Sequence, residues 1–139
     1  MLEEIYHHWA AGDWTPHFEL YSPDMEWGWS DEFPGIAGVY RDTETPNSRL
    51  LSWLCEWESW TCEAEDYVRF GGVVVVLTRY RGRGKVSGVE VDVEGAHVWK
   101  VREGKAIWLE VFADRQRALR VAADLVQDLV DDAALSARR

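Results

Sequence analysis

The chain has 139 residues, with 25 acidic and 15 basic side chains and a formal net charge of -10. That length suits one domain, large enough to bury a core without disulfide or metal staples. The acidic balance disfavours nucleic acid and anionic membrane as partners, because phosphates would be repelled. The charge is uneven. Residues 1–66 hold 15 acids and 2 bases, residues 67–139 hold 10 acids and 13 bases. The later half is read either as a solvated face or as a region that meets an anionic ligand. Cys55 and Cys62 cannot make a disulfide framework, and no Cys/His spacing suggests zinc, so no metal and no cofactor are expected. The first ten residues carry Glu3 and Glu4 and no basic segment, so no signal peptide is expected. The longest aliphatic run, Val73–Leu77, is too short to span a bilayer. A soluble, cytoplasmic setting follows as an expectation.

In chain order, the first element reads as a short helix. Leu2, Ile5, Tyr6 and Trp9 fall on one stripe, and Gly12 fits a stop. Asp13 can cap a second helical piece carrying Trp14, Phe18 and Tyr21, ended by Pro23. Met25–Trp29 reads as a short strand, followed by a loop with Asp31, Pro34, Gly35 and Gly38. Thr45-Pro46 opens an amphipathic helix. Its apolar face would be Leu50, Trp53, Leu54, Trp57 and Trp60, ending near Thr61. Cys62–Phe70 and Val73–Arg81 read as strands joined at Gly71-Gly72, and Gly82, Gly84 and Gly88 break the chain. From Val89 the alternation is sustained. Val89, Val91, Val93, His97, Trp99 and Val101 share one face, and Glu90, Asp92, Glu94, Lys100 and Arg102 the other. Lys105–Ala113 is a last strand. Asp114 caps a final helix with Ala118, Val121, Ala122, Leu125, Val126 and Leu129 on its apolar face. Residues 133–139 read as a frayed tail. Helices followed by strands argue for a single α+β domain, residues 1–139, with an antiparallel sheet.

His97 is the one titratable group on an otherwise apolar strand face. It is either a satisfied core histidine or a proton-transfer group in a pocket. Its partner depends on the turn. A two-residue Glu103-Gly104 loop sets Glu110 opposite His97. A three-residue Arg102–Gly104 loop sets Leu109 there, with Ile107, Leu109, Val111 and Ala113 inward. The second is preferred, because it leaves the last strand with an unbroken apolar inner face. It sends Glu110, Trp108 and Phe112 outward, and two large aromatics on an outer face suggest a homodimer interface.

The stretch SGVEVDVEGAHVWKVREGKAIWLEVFADRQRAL, residues 87–119, resembles the nuclear transport factor 2-like superfamily. Within it, the likeness is to SnoaL-like and ketosteroid isomerase-related proteins. Ala11-Gly12-Asp13, Gly38-Val39-Tyr40-Arg41 and Trp53…Trp57 extend the likeness to about residue 125. The resemblance implies a cone-shaped, curved antiparallel sheet wrapped around the N-terminal helices, an additional C-terminal helix, and homodimers packed sheet to sheet. It sets His97 where isomerases hold an oxyanion-donating aspartic acid. Cyclases and limonene epoxide hydrolases of the superfamily carry their acid where this chain has Val111, and an aliphatic side chain cannot transfer a proton. The isomerase base falls near Trp29. Arg79 corresponds to an inward arginine of the epoxide hydrolase type and shares parity with Val73, Val75 and Leu77. Asp31 and Glu32 are the nearest substitutes for a base.

Three functions compete. One is an enzyme of isomerase, cyclase, dehydratase or hydrolase type acting on a small hydrophobic carbonyl compound. His97 and Arg79 would be its catalytic residues, and its walls would be Tyr6, Trp9, Trp27, Trp29, Trp53, Trp57, Trp99, Leu109 and Val111. The second is a non-catalytic module for an aromatic or terpenoid ligand. The third is a structural dimer with a solid core.

Overall fold

The computed structural model describes residues 1–15, 17–33, 37–41 and 54–137. The first element is α1, Leu2–Ala10. Its apolar stripe comes down on one face, with Leu2, Ile5, Tyr6 and Trp9 all buried, and Gly12 at φ 78° turns the chain out of it. The helix expected after Asp13 is reduced to a 3₁₀ turn, Phe18–Leu20. Asp13 spends its carboxylate on Thr15 instead, accepting from the backbone N–H at 3.1 Å and from the hydroxyl at 2.6 Å. That local turn competes with a helix start.

Six strands follow among the described residues. They are β1 Tyr21–Trp29, β2 Gly38–Tyr40, β3 Trp57–Phe70, β4 Val73–Gly84, β5 Glu90–Arg102 and β6 Lys105–Phe112, before the closing helix α2, Arg115–Ala137. They form one curved, unclosed sheet in the order β2-β1-β6-β5-β4-β3. Neighbours run antiparallel except β1 and β6, which run parallel. No helix of the described residues is long and apolar enough to cross a membrane.

The sheet has two faces and a core on each. The inner face packs on α1 through Met25, Trp27, Cys62, Val74, Val76, Trp99, Leu109 and Val111. The outer face packs on α2, with Val73, Val75, Ala96, Val98 and Phe112 against Ala118 and Ala122. Asp114 caps α2 as expected, its carboxylate accepting from the Gln116 N–H at 2.9 Å.

Several expectations are corrected. Trp57 and Trp60 lie in β3, not on a helix, while Leu50 and Trp53 fall outside the described residues. The reason is long-range pairing: Trp60 lies opposite Gly82, which has no side chain to obstruct an indole. Gly82 and Gly84 therefore sit inside β4 rather than breaking it. The β5–β6 turn is the two-residue Glu103-Gly104, with φ of 53° and 76°. Both residues in the left-handed region match the twist of a tight hairpin. An irregularity between Lys100 and Val101 then moves the register by one, and His97 meets Val111 rather than Glu110 or Leu109. The inward parity of Leu109 and Val111 survives, because the bulge restores the face that the shorter turn would have inverted. The chain remains helical to Ala137, beyond the point where fraying was expected. Phe112 is only 1 % exposed, covered by α2 of its own chain, and so is not open to a partner.

A methyl group added at Gly82 would sit 2.4 Å from Trp60 Cε3 and 2.9 Å from the Ser59 carbonyl oxygen. Gly82→Ala is therefore expected to lose about 1–3 kcal/mol of stability. A lower urea midpoint with an unchanged slope is the readout.

Candidate functional site

The inner face is built from rows of cross-strand neighbours. One row runs Tyr67, Val76, His97, Val111, Trp29 across β3, β4, β5, β6 and β1. The next runs Val74, Trp99, Leu109, Trp27. Strand alternation puts each of these side chains on the concave side, and α1 lies over them.

His97 is 3 % exposed at the centre of this face. Its Nδ1 lies 2.5 Å from the Tyr6 hydroxyl, delivered by α1. Its Nε2 is bonded to the Tyr80 hydroxyl, delivered by β4. The Trp99 indole N–H donates to the same Tyr6 oxygen at 2.7 Å. Burial pushes the imidazole down to about 3, so His97 is neutral near pH 7. Burial also raises the phenols of Tyr6 and Tyr80 well above their ordinary range, and the Cys62 thiol with them. The network is thus uncharged, buried at Tyr6, His97 and Trp99 and half-buried at Tyr80, and each ring nitrogen has a phenol.

Aromatic rings surround it. Tyr6 meets Trp9 edge to face, Trp9 stacks on Trp14 and Trp99, and Trp60 stacks on Tyr80 at 5.4 Å. Trp57 packs against Trp60 at 4.6 Å. Trp27 and Trp29 complete the face on β1, next to Tyr21 and Tyr40 respectively. Gly95 makes room for the phenol of Tyr80: a Cβ there would stand 3.0 Å from Tyr80 Cε2.

Of the expected walls, Tyr6, Trp9, Trp27, Trp29, Trp99, Leu109 and Val111 are gathered on this face. Arg79 is not. It projects from the outer face and pairs with Asp92 at 2.7 Å, Glu94 at 3.3 Å and Glu65 at 3.4 Å. A charged side chain turned inward here would have had to lie among Cys62, Val76 and His97, where desolvation opposes it. Asp31 pairs with Arg117 at 2.5 Å. Glu32 accepts from the Ser30 hydroxyl and from the backbone N–H groups of Ala113 and Asp114. Both carboxylates are thereby tied to the start of α2.

Tyr80, Tyr67, Trp60 and Cys62 belong to the site and were not expected there. The available signal was the charge alternation Arg79, Arg81, Arg83, which marks the wet face of β4 and leaves Thr78 and Tyr80 inside. Val73 to Val76 are all buried and so carry no parity of their own.

The model of the SnoaL-like domain matches residues 2–109. The chain belongs to the SnoaL-like domain family. Among solved structures it is similar to a nuclear transport factor 2-like protein from Burkholderia thailandensis. The identity is 27%, the match covers 89% of this chain and 93% of that one, and the TM-score is 0.70. It is also similar to a Jannaschia protein assigned as a SnoaL-like polyketide cyclase (16% identity, 85% and 88% covered, TM-score 0.62). A Catenulispora acidiphila protein of ketosteroid isomerase-like fold is similar too (18%, 81% and 86%, TM-score 0.64). The last two likenesses concern the fold alone. No curated protein matches the chain.

The depressed His97 has a consequence for stability. In the unfolded chain the imidazole takes a proton below about 6.5, while in the fold it stays neutral until about 3. Unfolding therefore takes up a proton between these limits. Stability is full above about pH 6.5 and falls toward pH 3, by up to about 1.4 kcal/mol per pH unit from this group. His97→Gln removes the term. Thermal midpoints measured from pH 7 to pH 4 are expected to fall less steeply in the variant than in the parent chain.

Proposed function

We propose that this SnoaL-like protein is an enzyme for a small, hydrophobic, carbonyl-containing molecule, of isomerase, cyclase, dehydratase or hydrolase type. His97, between Tyr6 and Tyr80, supplies the hydrogen bonding. The observation that carries the reading is a chain of three linked polar side chains in the middle of an aromatic face, with Tyr6 and His97 buried and Tyr80 half-buried. Neutral donors held in a dry setting stabilise negative charge that develops on a substrate oxygen. A histidine pushed down to about 3 is a weak base, so the network is read as donating rather than abstracting. Arg79 has no part in it. The coarser reading, membership of a family that includes polyketide cyclases and isomerases, does not depend on this step.

A non-catalytic binding module is the second reading, favoured by one observation. The hydrogen-bond partners of His97 are phenols rather than a carboxylate, and Val111 stands beside it. The two readings separate by experiment. A panel of hydrophobic ketones and enones is followed by NMR for product and by tryptophan fluorescence for binding. The enzyme reading expects turnover that Tyr80→Phe lowers by about 10²–10³-fold, the effect of removing one preorganised donor. Saturable quenching without product selects the binding module, and a panel neither bound nor converted refutes both.

A cytoplasmic setting is part of the proposal, supported by two unpaired cysteines. So is a homodimer through the outer sheet face, now centred on Trp108, whose ring lies 5.1 Å under the Lys100 ammonium. Light scattering is expected to give twice the chain mass, and Trp108→Glu half of that. A monomeric parent chain at micromolar concentration overturns it.

A further inference from the structure

The hydrogen-bond chain at His97 has a direction, and Trp99 sets it. An indole N–H can only donate, so the Tyr6 oxygen accepts from Trp99. The other partner of that buried hydroxyl, at 2.5 Å, is His97 Nδ1. Were Nδ1 protonated, the Tyr6 oxygen would accept twice and its own proton would be left buried without an acceptor, which is disfavoured. Tyr6 therefore donates to Nδ1. A neutral imidazole then carries its one proton on Nε2 and donates it to the Tyr80 oxygen. The Tyr80 proton then points away from His97, where the neighbours of this half-buried phenol include the Cys62 thiol and the Thr78 hydroxyl. Sulfur is a weak acceptor. Thr78 is fully buried, and its hydroxyl has no well-formed hydrogen bond among the described residues.

We propose that Trp99 is a positioning residue that locks His97 as the Nε2–H tautomer, leaving Tyr80 as the donating end of the chain. The ligand that best fits this end carries an acceptor-only oxygen, a carbonyl or enolate, in preference to a hydroxyl with a proton of its own to place. This deepens the proposed function and rests on it for the ligand, while the tautomer stands apart from it. A hydroxyl ligand can also accept from Tyr80, but its own proton then needs a further acceptor, and the Tyr80 oxygen is already engaged by Nε2–H. A carbonyl oxygen draws the Tyr80 proton away from sulfur and completes the chain.

The experiment is two-bond ¹H–¹⁵N correlation on histidine-labelled protein at pH 7, which distinguishes the tautomers without any ligand. The parent chain is expected to show His97 as Nε2–H alone. Trp99→Phe and Tyr6→Phe are expected to show both tautomers, and Tyr80→Phe only Nε2–H. If Trp99→Phe does not fold, Tyr6→Phe carries the readout, since it removes the donor to Nδ1 directly. An Nδ1–H resonance in the parent chain overturns the direction, and a pure Nε2–H tautomer in Trp99→Phe overturns the role of Trp99. For the ligand end, binding of 2-tetralone is expected to weaken about tenfold in Tyr80→Phe, one hydrogen bond's worth, while 2-naphthol does not change. Equal loss for both, or for neither, overturns the acceptor-only end. Failure of the parent chain to bind any ketone counts against the proposed function, and the tautomer still decides the direction.

Discussion

A neutral imidazole buried in an apolar face has one donor and one acceptor to satisfy, and neither can reach water. Here both are met by phenols that come from different parts of the chain. Tyr6 arrives on α1 and Tyr80 on β4, while His97 stands on β5 between them. Much of the inner layer answers to this requirement. The helix must lie across the sheet so that Tyr6 points at Nδ1. Gly95 must lack a side chain so that Tyr80 reaches Nε2. Trp99 must follow His97 by two residues to share its face and bond the same hydroxyl. Charge is expelled from the layer, and the outer face collects it in the ion pairs of Arg79, Arg81 and Arg115 with Glu63, Glu65, Asp92 and Glu94.

The two faces of one sheet thus serve opposed purposes. The outer face is closed by α2 and, at the other end of β4, by solvated ion pairs that contribute little individually to stability. The inner face holds rings whose shapes and few polar atoms suit recognition of an apolar molecule with one oxygen. The tryptophans divide along this line. Trp9, Trp27 and Trp99 are core on the inner side, Trp60 stacks on Tyr80 with Trp57 against it, and Trp108 on β6 faces outward against Lys100.

Much of this is legible in the amino-acid sequence. The stripe of α1, the alternation of β5, the cap at Asp114 and the inward place of His97 all follow from local periodicity and residue chemistry. The identity of the partners of His97 did not. Val73 to Val76 are buried on both faces, so the apolar run of β4 gives no inward parity. Reading Val73, Val75 and Leu77 as inward carried Arg79 in with them and Tyr80 out. The arginines held the answer, since three alternate bases opposite Glu63, Asp92 and Glu94 belong to the side that water reaches.

The residues alone determined the fold class, the order of most elements, the face on which His97 lies and the absence of an acid at Val111. They did so because periods of 2 and 3.6 are written along the chain itself. Only the tertiary structure decided the rest. The Lys100–Val101 irregularity, the strand conformation of Trp57 and Trp60, and the meeting of Tyr6 with Tyr80 across one imidazole depend on pairings between distant segments. A strand's register and a side chain's partner are properties of two pieces of chain at once, and neither piece records them by itself.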